Sequence, residues 1–368
     1  MEAQTQIPDD RIEVLRQFDE TKAGVKGLSD SGILKLPRIF VRPPEDLSKD
    51  LSCNINNTPI QVPVIDMADF QADTWRRRRI VEQVRAASET WGFFQVVNHG
   101  IPQSVLDDVI NGVREFHEQD LEKKKLFYTR DTSKALRLCC NHDLFKAATA
   151  GWRDTLSVSF PAFDPDLHRH ELPPSFSKSI VEYSKHVETL GNILFGLLSE
   201  ALGLETGYLE KMECSKGHRL HGHYYPACPE PHLAIGTTQH SDAGFLTILL
   251  QNQITSALQV LYKGQWIDIQ PTPGGLVINI GDLLQLVSNG KFKSNQHRAI
   301  AKGIGPRISI ACFFSGPLMN VEKIYGPIEE LISDENPAVY KELVLGEYVK
   351  RFITTSLETF RALDCYKL

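Results

Sequence analysis

Two residues with metal-binding side chains, His240 and Asp242, stand two positions apart in the segment HSDAGFLTILLQ (240–251). On an extended strand, residues i and i+2 point to the same face, so both side chains would meet one partner. About one His-x-Asp pair is expected by chance in a chain of this length and composition. The pair therefore acquires meaning only from other residues that could complete a site.

His297, in the segment NQHRAIA, is the third candidate ligand and stands at the head of another predicted strand. Two histidines and one carboxylate on one side of a metal form the facial triad of non-haem Fe(II) oxygenases, which leaves positions open for substrates. A zinc site built from His and Asp ligands would also be allowed. Ligand types alone therefore indicate a metal site without choosing between iron and zinc.

Ten residues beyond His297, the segment GPRISI places Arg307 and Ser309 on one face of a strand. An arginine that points into a β core is costly unless an anion meets it. Its guanidinium binds a carboxylate through two hydrogen bonds, and a neighbouring hydroxyl adds another. This arrangement suits a dicarboxylate co-substrate that chelates the metal with one end and contacts Arg307 with the other.

The elements that must position these residues change character along the chain. Hydrophobic periodicity predicts helices over about 75–90, 104–125 and 175–204, with short strands in VPVIDM (62–67) and WGFFQVVNHGIP (91–102). After residue 215 the chain becomes a series of short β-branched segments separated by turns. These segments are HLAIGTTQ, GFLTILLQ, ALQVLYKGQWIDIQ, GLVINIGDLLQLV, HRAIA and RISIACFF. Such spacing predicts an all-β sandwich or barrel.

We expect three regions along this chain, forming one compact unit. Residues 1–214 would be an N-terminal helical region with short strands packing on the core, 215–320 the β core, and 321–368 a C-terminal helical tail. The helices of the first region would pack against the outside of the barrel.

Composition narrows the classes of partner. Charged residues make up 23% of the chain, and the net charge of −6 argues against nucleic acid as the main partner. The basic run at 76–79 opens an amphipathic helix and reads as a solvated helix face. No segment resembles a membrane span, a secretory signal or a transit peptide. The seven cysteines are irregularly spaced and form no Cys-x-x-Cys pair, which favours a reducing compartment, the cytosol.

At this point the motifs carry a family resemblance that spans nearly the whole chain. The sequence resembles the plant 2-oxoglutarate- and Fe(II)-dependent dioxygenases, in particular the branch of 1-aminocyclopropane-1-carboxylate oxidase homologues, which includes hydroxylases of alkaloids and other specialised metabolites. The shared segments include FDETKAGVKGL (18–28), WGFFQVVNHGIP, FHEQD (116–120), WRDT (152–155), HYYPACP (223–229), HSDAGFLTILLQ, WIDI (266–269), GLVINIGDLLQLVSNGKFKS, HRA and GPRIS.

The resemblance implies a role for each matching position. His240, Asp242 and His297 would hold Fe(II), and Arg307, Ser309 and Tyr225 would bind the distal carboxylate of 2-oxoglutarate. The implied fold is a double-stranded β-helix, a cupin-like jelly roll of the α+β, mainly β class, flanked by N-terminal and C-terminal helices. Phe145, Trp152, Phe313 and Phe314 are candidates for contact with the primary substrate.

Several other polar residues are expected to have structural roles and not to bind metal or substrate. His99 would be a structural residue near a strand end, and His221 and His223 would flank a strand that enters the barrel without binding metal. Many members of the family carry Asn where this chain has His223, so a contact with the metal-side carboxylate of 2-oxoglutarate is in question here. The adjacent Cys139 and Cys140 are expected to be buried.

The expected function is therefore oxidation, most simply hydroxylation, of a small specialised metabolite, with O2 and 2-oxoglutarate consumed and succinate and CO2 released. Ascorbate would serve as reductant, and the protein would be a monomer without nucleic-acid or membrane partners. Two alternatives remain: an ascorbate-dependent oxidase of the 1-aminocyclopropane-1-carboxylate oxidase type, and a non-catalytic small-molecule sensor on the same fold. A zinc hydrolase is less suitable because it leaves the Arg307 clamp without a role.

Overall fold

The computed structural model describes residues 9–47, 60–71, 73–160, 172–254, 256–317, 320–355 and 361–368. Its strands are β1 Val64–Asp66, β2 Phe93–Val97, β3 Leu136–Cys140, β4 Asp154–Ser159, β5 His218–Tyr225, β6 Ile235–His240, β7 Leu246–Gln251, β8 Leu258–Tyr262, β9 Gln265–Asp268, β10 Leu276–Ile280, β11 His297–Ile300, β12 Arg307–Phe314, β13 Ile324–Tyr325 and β14 Leu343–Val344. The helices are α1 Asp9–Glu20, α2 Gly24–Asp30, α3 Thr74–Thr90, α4 Gln103–Glu118, α5 Leu121–Lys125, α6 Pro174–Ala201, α7 Tyr208–Lys211, α8 Asp282–Val287 and α9 Leu345–Thr354.

Two sheets form the centre of the molecule. The larger has eight strands in the order β1-β2-β10-β7-β12-β5-β4-β3, and the smaller has four in the order β6-β11-β8-β9. Almost all pairings are antiparallel; the exception among these two sheets is β1 with β2. The facing sheets, with helices against the outside of the larger one, form the jelly-roll core that the family resemblance implies.

The period-two alternation of strands β5 and β12 separates a helix-covered face from a face that lines the interior. Leu220 and Ile310 belong to the main hydrophobic cluster together with residues of α4 and α6. The helix α4 approaches β5 closely, because a Cβ added at Gly222 would lie 3.0 Å from the side chain of Val113. The alternate residues of β5 and β12, including His223 and Ser309, which are partners in register, face the interior.

Residues before position 215 contribute more to the sheets than the sequence analysis expects. Strands β1 and β2 join the larger sheet through β10, and β3 and β4 join it through β5. Four of its eight strands therefore come from the first region. The limit near residue 214 divides the sequence without dividing the sheet.

Three local expectations are wrong in detail. The predicted helix over 104–125 is two helices, because the side chain of Asp120 caps a new helix by accepting from the amide of Glu122 at 2.9 Å. GLVINIGDLLQLV is a strand followed by helix α8, since the chain turns at Gly281. The tail beyond 321 contains the β13–β14 hairpin as well as helix α9.

Among the described residues, no helix combines the length and the apolar character needed to cross a bilayer.

Candidate metal centre

The three candidate ligands meet at the facing ends of strands β6 and β11. His240 is the last residue of β6 and His297 is the first residue of β11, and the two are partners in the antiparallel register. Asp242 lies two residues beyond the end of β6. The expectation that His240 and Asp242 share a strand is therefore wrong, although the turn after His240 still brings the carboxylate to the histidines.

The distances among the three side chains suit a single small cation. The Nε2 atoms of His240 and His297 each lie 3.6 Å from Oδ1 of Asp242. The two imidazole rings are 4.2 Å apart between centroids. One ligand atom from each residue lies within 4.8 Å of the other two. The structure thus brings together all three residues that the sequence nominates.

Hydrogen bonds leave one donor atom of each residue free for a metal. Nδ1 of His240 contacts the carbonyl of Thr238 at 2.8 Å, and Nδ1 of His297 contacts the carbonyl of Asn295 at 3.4 Å. A proton on each Nδ1 directs the lone pair of Nε2 towards the site, as in metal-bound histidines generally.

The carboxylate of Asp242 is oriented in the same way. Its Oδ2 accepts hydrogen bonds from Thr247 Oγ1 at 2.6 Å and from Asn279 Nδ2 at 2.7 Å. Oδ1 is therefore the oxygen that faces the two histidines. The side chain is 5% exposed, so these two donors fix a group that solvent hardly reaches.

The protonation states of His240 and Asp242 match those that metal binding requires. Burial lowers the pKa of His240 to about 3, which keeps its imidazole neutral at physiological pH. Burial disfavours the charged carboxylate of Asp242, but the nearby histidines and its two hydrogen bonds outweigh this and lower its pKa overall. Neutral imidazoles and an ionised carboxylate are the forms that bind a divalent cation.

Arg307 lies in the interior and is 3% exposed. Its guanidinium donates to Ser309 Oγ at 3.1 Å and to Gln251 Oε1 at 2.9 Å, while its Nε is buried without a partner. Nε2 of Gln251 is likewise buried and unpartnered. Within the described part of the chain, no carboxylate contributes to the environment of Arg307. An anion that enters from the interior would satisfy these donors.

Tyr225 and His223 complete this side of the site. The guanidinium carbon of Arg307 lies 4.9 Å from the ring centroid of Tyr225, and the Tyr225 hydroxyl is 3.0 Å from Oγ1 of Thr237. The Nδ1 of His223 is 3.0 Å from the hydroxyl of Thr155. Both rings line the same cavity as the three candidate ligands.

The four residues proposed to contact the primary substrate lie in different parts of the structure. Phe313 lines the cavity beside the candidate ligands. Phe314 points to the opposite face, where its ring packs on Phe195 at 5.7 Å. Trp152 is 1% exposed and packs edge-on against Phe40, and Phe145 lies under the guanidinium of Arg130. Only Phe313 among the four is among the residues lining this cavity.

The other polar residues take the following positions. His99 contacts the carbonyl of Gly274 at 2.9 Å and accepts from the amide of Ile101, a structural arrangement. Cys139 and Cys140 are buried on strand β3. His221 lies 4.9 Å from Phe313 between ring centroids, at the side of the cavity.

Several residues of the site were not nominated from the sequence. Thr247, Asn279 and Gln251 orient the candidate ligands and the guanidinium of Arg307 from strands β7 and β10. Their alternation with apolar residues, as in the buried strand LVINI, is a signal that could have identified them. Arg153 also lines the cavity, although the sequence analysis singled out its neighbour Trp152.

Two family models match the chain over much of its length. A model of the 2OG-Fe(II) oxygenase superfamily matches residues 217–316, and a model described as the N-terminal region of the non-haem dioxygenase in morphine synthesis matches residues 62–177. The first match contains His240, Asp242, His297, Arg307 and Ser309.

Curated proteins and solved structures give the same result. The chain is 50% identical to 1-aminocyclopropane-1-carboxylate oxidase homolog 1 of Arabidopsis thaliana, over 93% of this chain and 92% of that protein. It is 47% identical to deacetoxyvindoline 4-hydroxylase of Catharanthus roseus, over 98% and 91%. A structure of JOX2 in complex with 2OG, Fe and JA aligns with a TM-score of 0.80 and 27% identity, over 94% of this chain and 97% of that chain.

Proposed function

The chain belongs to the 2OG-Fe(II) oxygenase superfamily, and we propose that it hydroxylates a small specialised metabolite at a site formed by its own His240, Asp242 and His297. The observation that carries this assignment is the convergence of two Nε2 atoms on one carboxylate oxygen, each 3.6 Å away, while the other polar atoms of these side chains are hydrogen-bonded elsewhere. This donor set is that of non-haem Fe(II) oxygenases.

In the same proposal Arg307, Ser309 and Tyr225 bind the distal carboxylate of 2-oxoglutarate. The unpartnered Nε of Arg307 and Nε2 of Gln251 support this role, because a buried donor without an acceptor is costly unless a ligand supplies one. Fe(II) and 2-oxoglutarate, when bound, supply the oxidant that places oxygen from O2 on a substrate C–H, with release of succinate and CO2. Ascorbate keeps the iron reduced.

The residues of this chain contribute ligation, orientation and exclusion of water. Thr247 and Asn279 hold the carboxylate of Asp242 in one orientation, and the carbonyls of Thr238 and Asn295 hold the two imidazoles. Phe313 and Leu249 give the cavity apolar walls, which limit access of water to the reacting atoms. The cofactor determines the reactivity, while the protein decides which C–H lies in front of it.

The test uses purified protein, Fe(II), ascorbate and a library of plant metabolites, with 2-oxoglutarate-dependent succinate formation as the readout. We expect Asp242→Ala and His240→Ala to abolish succinate formation, while Gln239→Ala, in the same strand but exposed, retains it. Turnover of the Asp242 variant at the wild-type rate contradicts the proposal. Product formation from ascorbate and O2 without 2-oxoglutarate would instead identify an oxidase of the 1-aminocyclopropane-1-carboxylate oxidase type.

Assembly and location are further parts of the proposal. We infer a monomer that acts in the cytosol without nucleic-acid or membrane partners, supported by the net charge of −6 and by free thiols at buried Cys214, Cys228 and Cys312. Light scattering of the purified protein tests the first statement, and imaging of the fluorescently tagged chain in plant cells tests the second.

A further inference from the structure

Three arginines lie close enough to one imidazole, that of His221, for their charges to act on it. Arg137 on β3, Arg219 on β5 and Arg153 just before β4 all raise the electrostatic potential at His221. We call Arg137, Arg153 and Arg219 the arginine cluster. The sheet register explains the grouping, since Arg137 is paired with Ser157, and Ser157 with His221, across β3, β4 and β5.

The cluster projects from the sheet face opposite to the helices, where Arg153 is buried and Arg137 and Arg219 are half-buried. The residues that alternate with it, Leu138, Leu156 and Leu220, belong to the main hydrophobic cluster beneath the helices. Residues paired in an antiparallel sheet point to the same face, so Arg219 shares its face with its partner Phe313, which lines the cavity. Arg153 itself lines that cavity beside His223 and Tyr225.

Polar atoms in this region lack partners. Arg153 is 7% exposed and donates to Thr237 Oγ1 at 2.5 Å, but its Nε is buried and unpartnered. The hydroxyl of Ser157, which is 4% exposed, is also buried and unpartnered. A native interior rarely leaves such groups unsatisfied, and each indicates a missing ligand or water.

The arginine cluster carries more positive charge than the acidic side chains near it can balance. Within the described residues, Arg137 and Arg219 have no ion-pair partner. Asp143 lies close enough to Arg153 to be influenced by its charge, yet the two form no ion pair in the part of the chain that is described, and burial raises the pKa of this carboxyl group. The charge of Arg137 also acts on the exposed carboxylate of Asp131. The three cations outnumber these two acids, which leaves a site that favours an anion.

We propose that the primary substrate of this enzyme carries an oxyanion, a carboxylate or a sulfate or phosphate ester, that the arginine cluster and Ser157 bind, while the apolar part of the substrate packs on Phe313. This inference rests on the proposed function, because it takes the substrate to lie between the iron ligands and the cluster. The subsite adjoins the one assigned to 2-oxoglutarate, because Arg153 also hydrogen-bonds Tyr225 and its charge acts on Arg307. Arg307 itself donates to Gln251 and Ser309.

The arginine cluster would allow the enzyme to distinguish anionic substrates from neutral ones. Guanidinium groups form paired, charge-assisted hydrogen bonds with planar oxyanions. A neutral ester of the same substrate would leave the buried donors unsatisfied, and sites of this kind reject such analogues strongly. The distance between anion and iron would then determine which C–H is presented for oxidation.

The experiment measures binding and not turnover. The protein is loaded anaerobically with Mn(II) and saturating 2-oxoglutarate, which fills the Arg307 site, and is titrated calorimetrically with aryl and alkyl carboxylates and their methyl esters. Two further titration series use aryl sulfates and aryl phosphates, each compared with a neutral counterpart. We expect at least one anion to bind ten-fold or more tightly than its neutral counterpart, with affinity that falls as salt is added.

Substitutions of the arginines test whether the cluster causes the preference for anions. The double variant R137Q/R219Q is expected to lose the preference for anionic over neutral ligands. Arg219→Gln alone is expected to weaken this preference, and it keeps the test possible if the double variant does not fold. Lys134→Gln, which removes an exposed charge close to β3, should keep the preference. The proposal is wrong if no anion is preferred by the wild type, if the folded arginine variants retain the full preference, or if Arg307→Gln alone removes it.

If the proposed function is wrong, the same samples give a different result from the one that contradicts the anion site. Wild-type protein that does not bind 2-oxoglutarate in the presence of Mn(II) contradicts the assignment of the iron and co-substrate site, whatever the outcome with the anion probes.

Discussion

The carboxylate of Asp282 forms an ion pair with Arg361 at 2.5 Å, across 79 positions of the sequence. Asp282 is fully buried and also accepts hydrogen bonds from Ser241 and Ser294. Ser241 stands between the candidate ligands His240 and Asp242. The backbone amide of Asp282 also donates to the carbonyl of Asp242 at 2.8 Å. The carboxylate of Asp282 therefore connects the C-terminal segment to residues 240–242, which carry two of the candidate ligands and are called the metal loop below.

Replacement of Arg361 by Gln should destabilise the fold and loosen the metal loop. Removing one partner of a buried pair leaves the other charge uncompensated, which costs up to about 3–5 kcal/mol. Lys367→Gln is the matched control, because its pair with Asp364 has side chains 55% and 40% exposed and such pairs contribute less than about 1 kcal/mol. Urea denaturation measures both variants. Equal effects of the two substitutions would contradict the role assigned to Asp282.

Asn279→Ala should weaken metal binding without unfolding the protein. It removes one of the two donors that hold Oδ2 of Asp242. Substitutions of such supporting residues typically lower metal affinity by about ten- to a hundred-fold. Asn279→Asp should be worse, because it sets a second carboxylate against Asp242. Anaerobic titration with Mn(II) measures the affinity, and wild-type affinity in both variants would refute the orienting role.

Arg307→Gln should chiefly raise the KM for 2-oxoglutarate. Hydrogen bonds to charged groups contribute about 1.5–3 kcal/mol each, so the loss corresponds to about ten- to a hundred-fold in KM. Arg307→Lys keeps the charge but loses the planar pair of donors, and we expect an intermediate KM. Initial rates of succinate formation at varied 2-oxoglutarate give both parameters. A change confined to kcat would argue against carboxylate binding by Arg307.

His117 should make the fold sensitive to acid. Burial, followed by the charge of Lys124, lowers the pKa of His117 to about 3, below the 6.5 of an exposed histidine. The unfolded chain then binds a proton that the native state does not, so stability is full above pH 6.5 and falls as pH decreases towards 3.

The measurement compares the unfolding free energies of wild type and His117→Gln between pH 6.5 and 5. The advantage of the wild type should decrease by up to about 2 kcal/mol over this range, at about 1.4 kcal/mol per pH unit. His232→Gln, which removes an exposed histidine, serves as the control. A difference that does not change with pH would show that His117 binds a proton as readily in the native state as in the unfolded chain, contrary to this prediction.

Trp152→Ala should act on stability and not on substrate contact. The indole is 1% exposed, packs on Phe40 with centroids 5.1 Å apart, and donates to the carbonyl of Pro226. Truncation of a buried Trp costs about 3–5 kcal/mol. Phe145→Ala, at a side chain 37% exposed, should cost much less. Thermal unfolding tests the difference, and a stable Trp152→Ala protein with altered substrate selectivity would favour the original expectation.

Local patterns in the sequence were enough to nominate the triad, the Arg307–Ser309 pair and most strands after residue 215. Side-chain direction has period two along a strand, which explains why spacing predicts that Arg307 and Ser309 share a face of β12. Asp242 reaches the two histidines through the turn after β6 and not through a shared strand face. The same patterns misassigned DLLQLV and merged α4 with α5, since Gly281 and Asp120 change the backbone direction within apolar runs. Phe313 and Phe314 follow one another, so only one of the pair could face the cavity.

The sequence by itself determined the class of chemistry, because its motifs place the chain in the 2OG-Fe(II) oxygenase superfamily and nominate His240, Asp242, His297, Arg307 and Ser309 as site residues. The tertiary structure alone decided how distant segments meet. It placed Arg137, Arg153 and Arg219 around His221, paired Asp282 with Arg361, and set Asn279 against Asp242. These contacts depend on which strands are hydrogen-bonded neighbours, a property set by the packing of the whole chain, which no local period encodes.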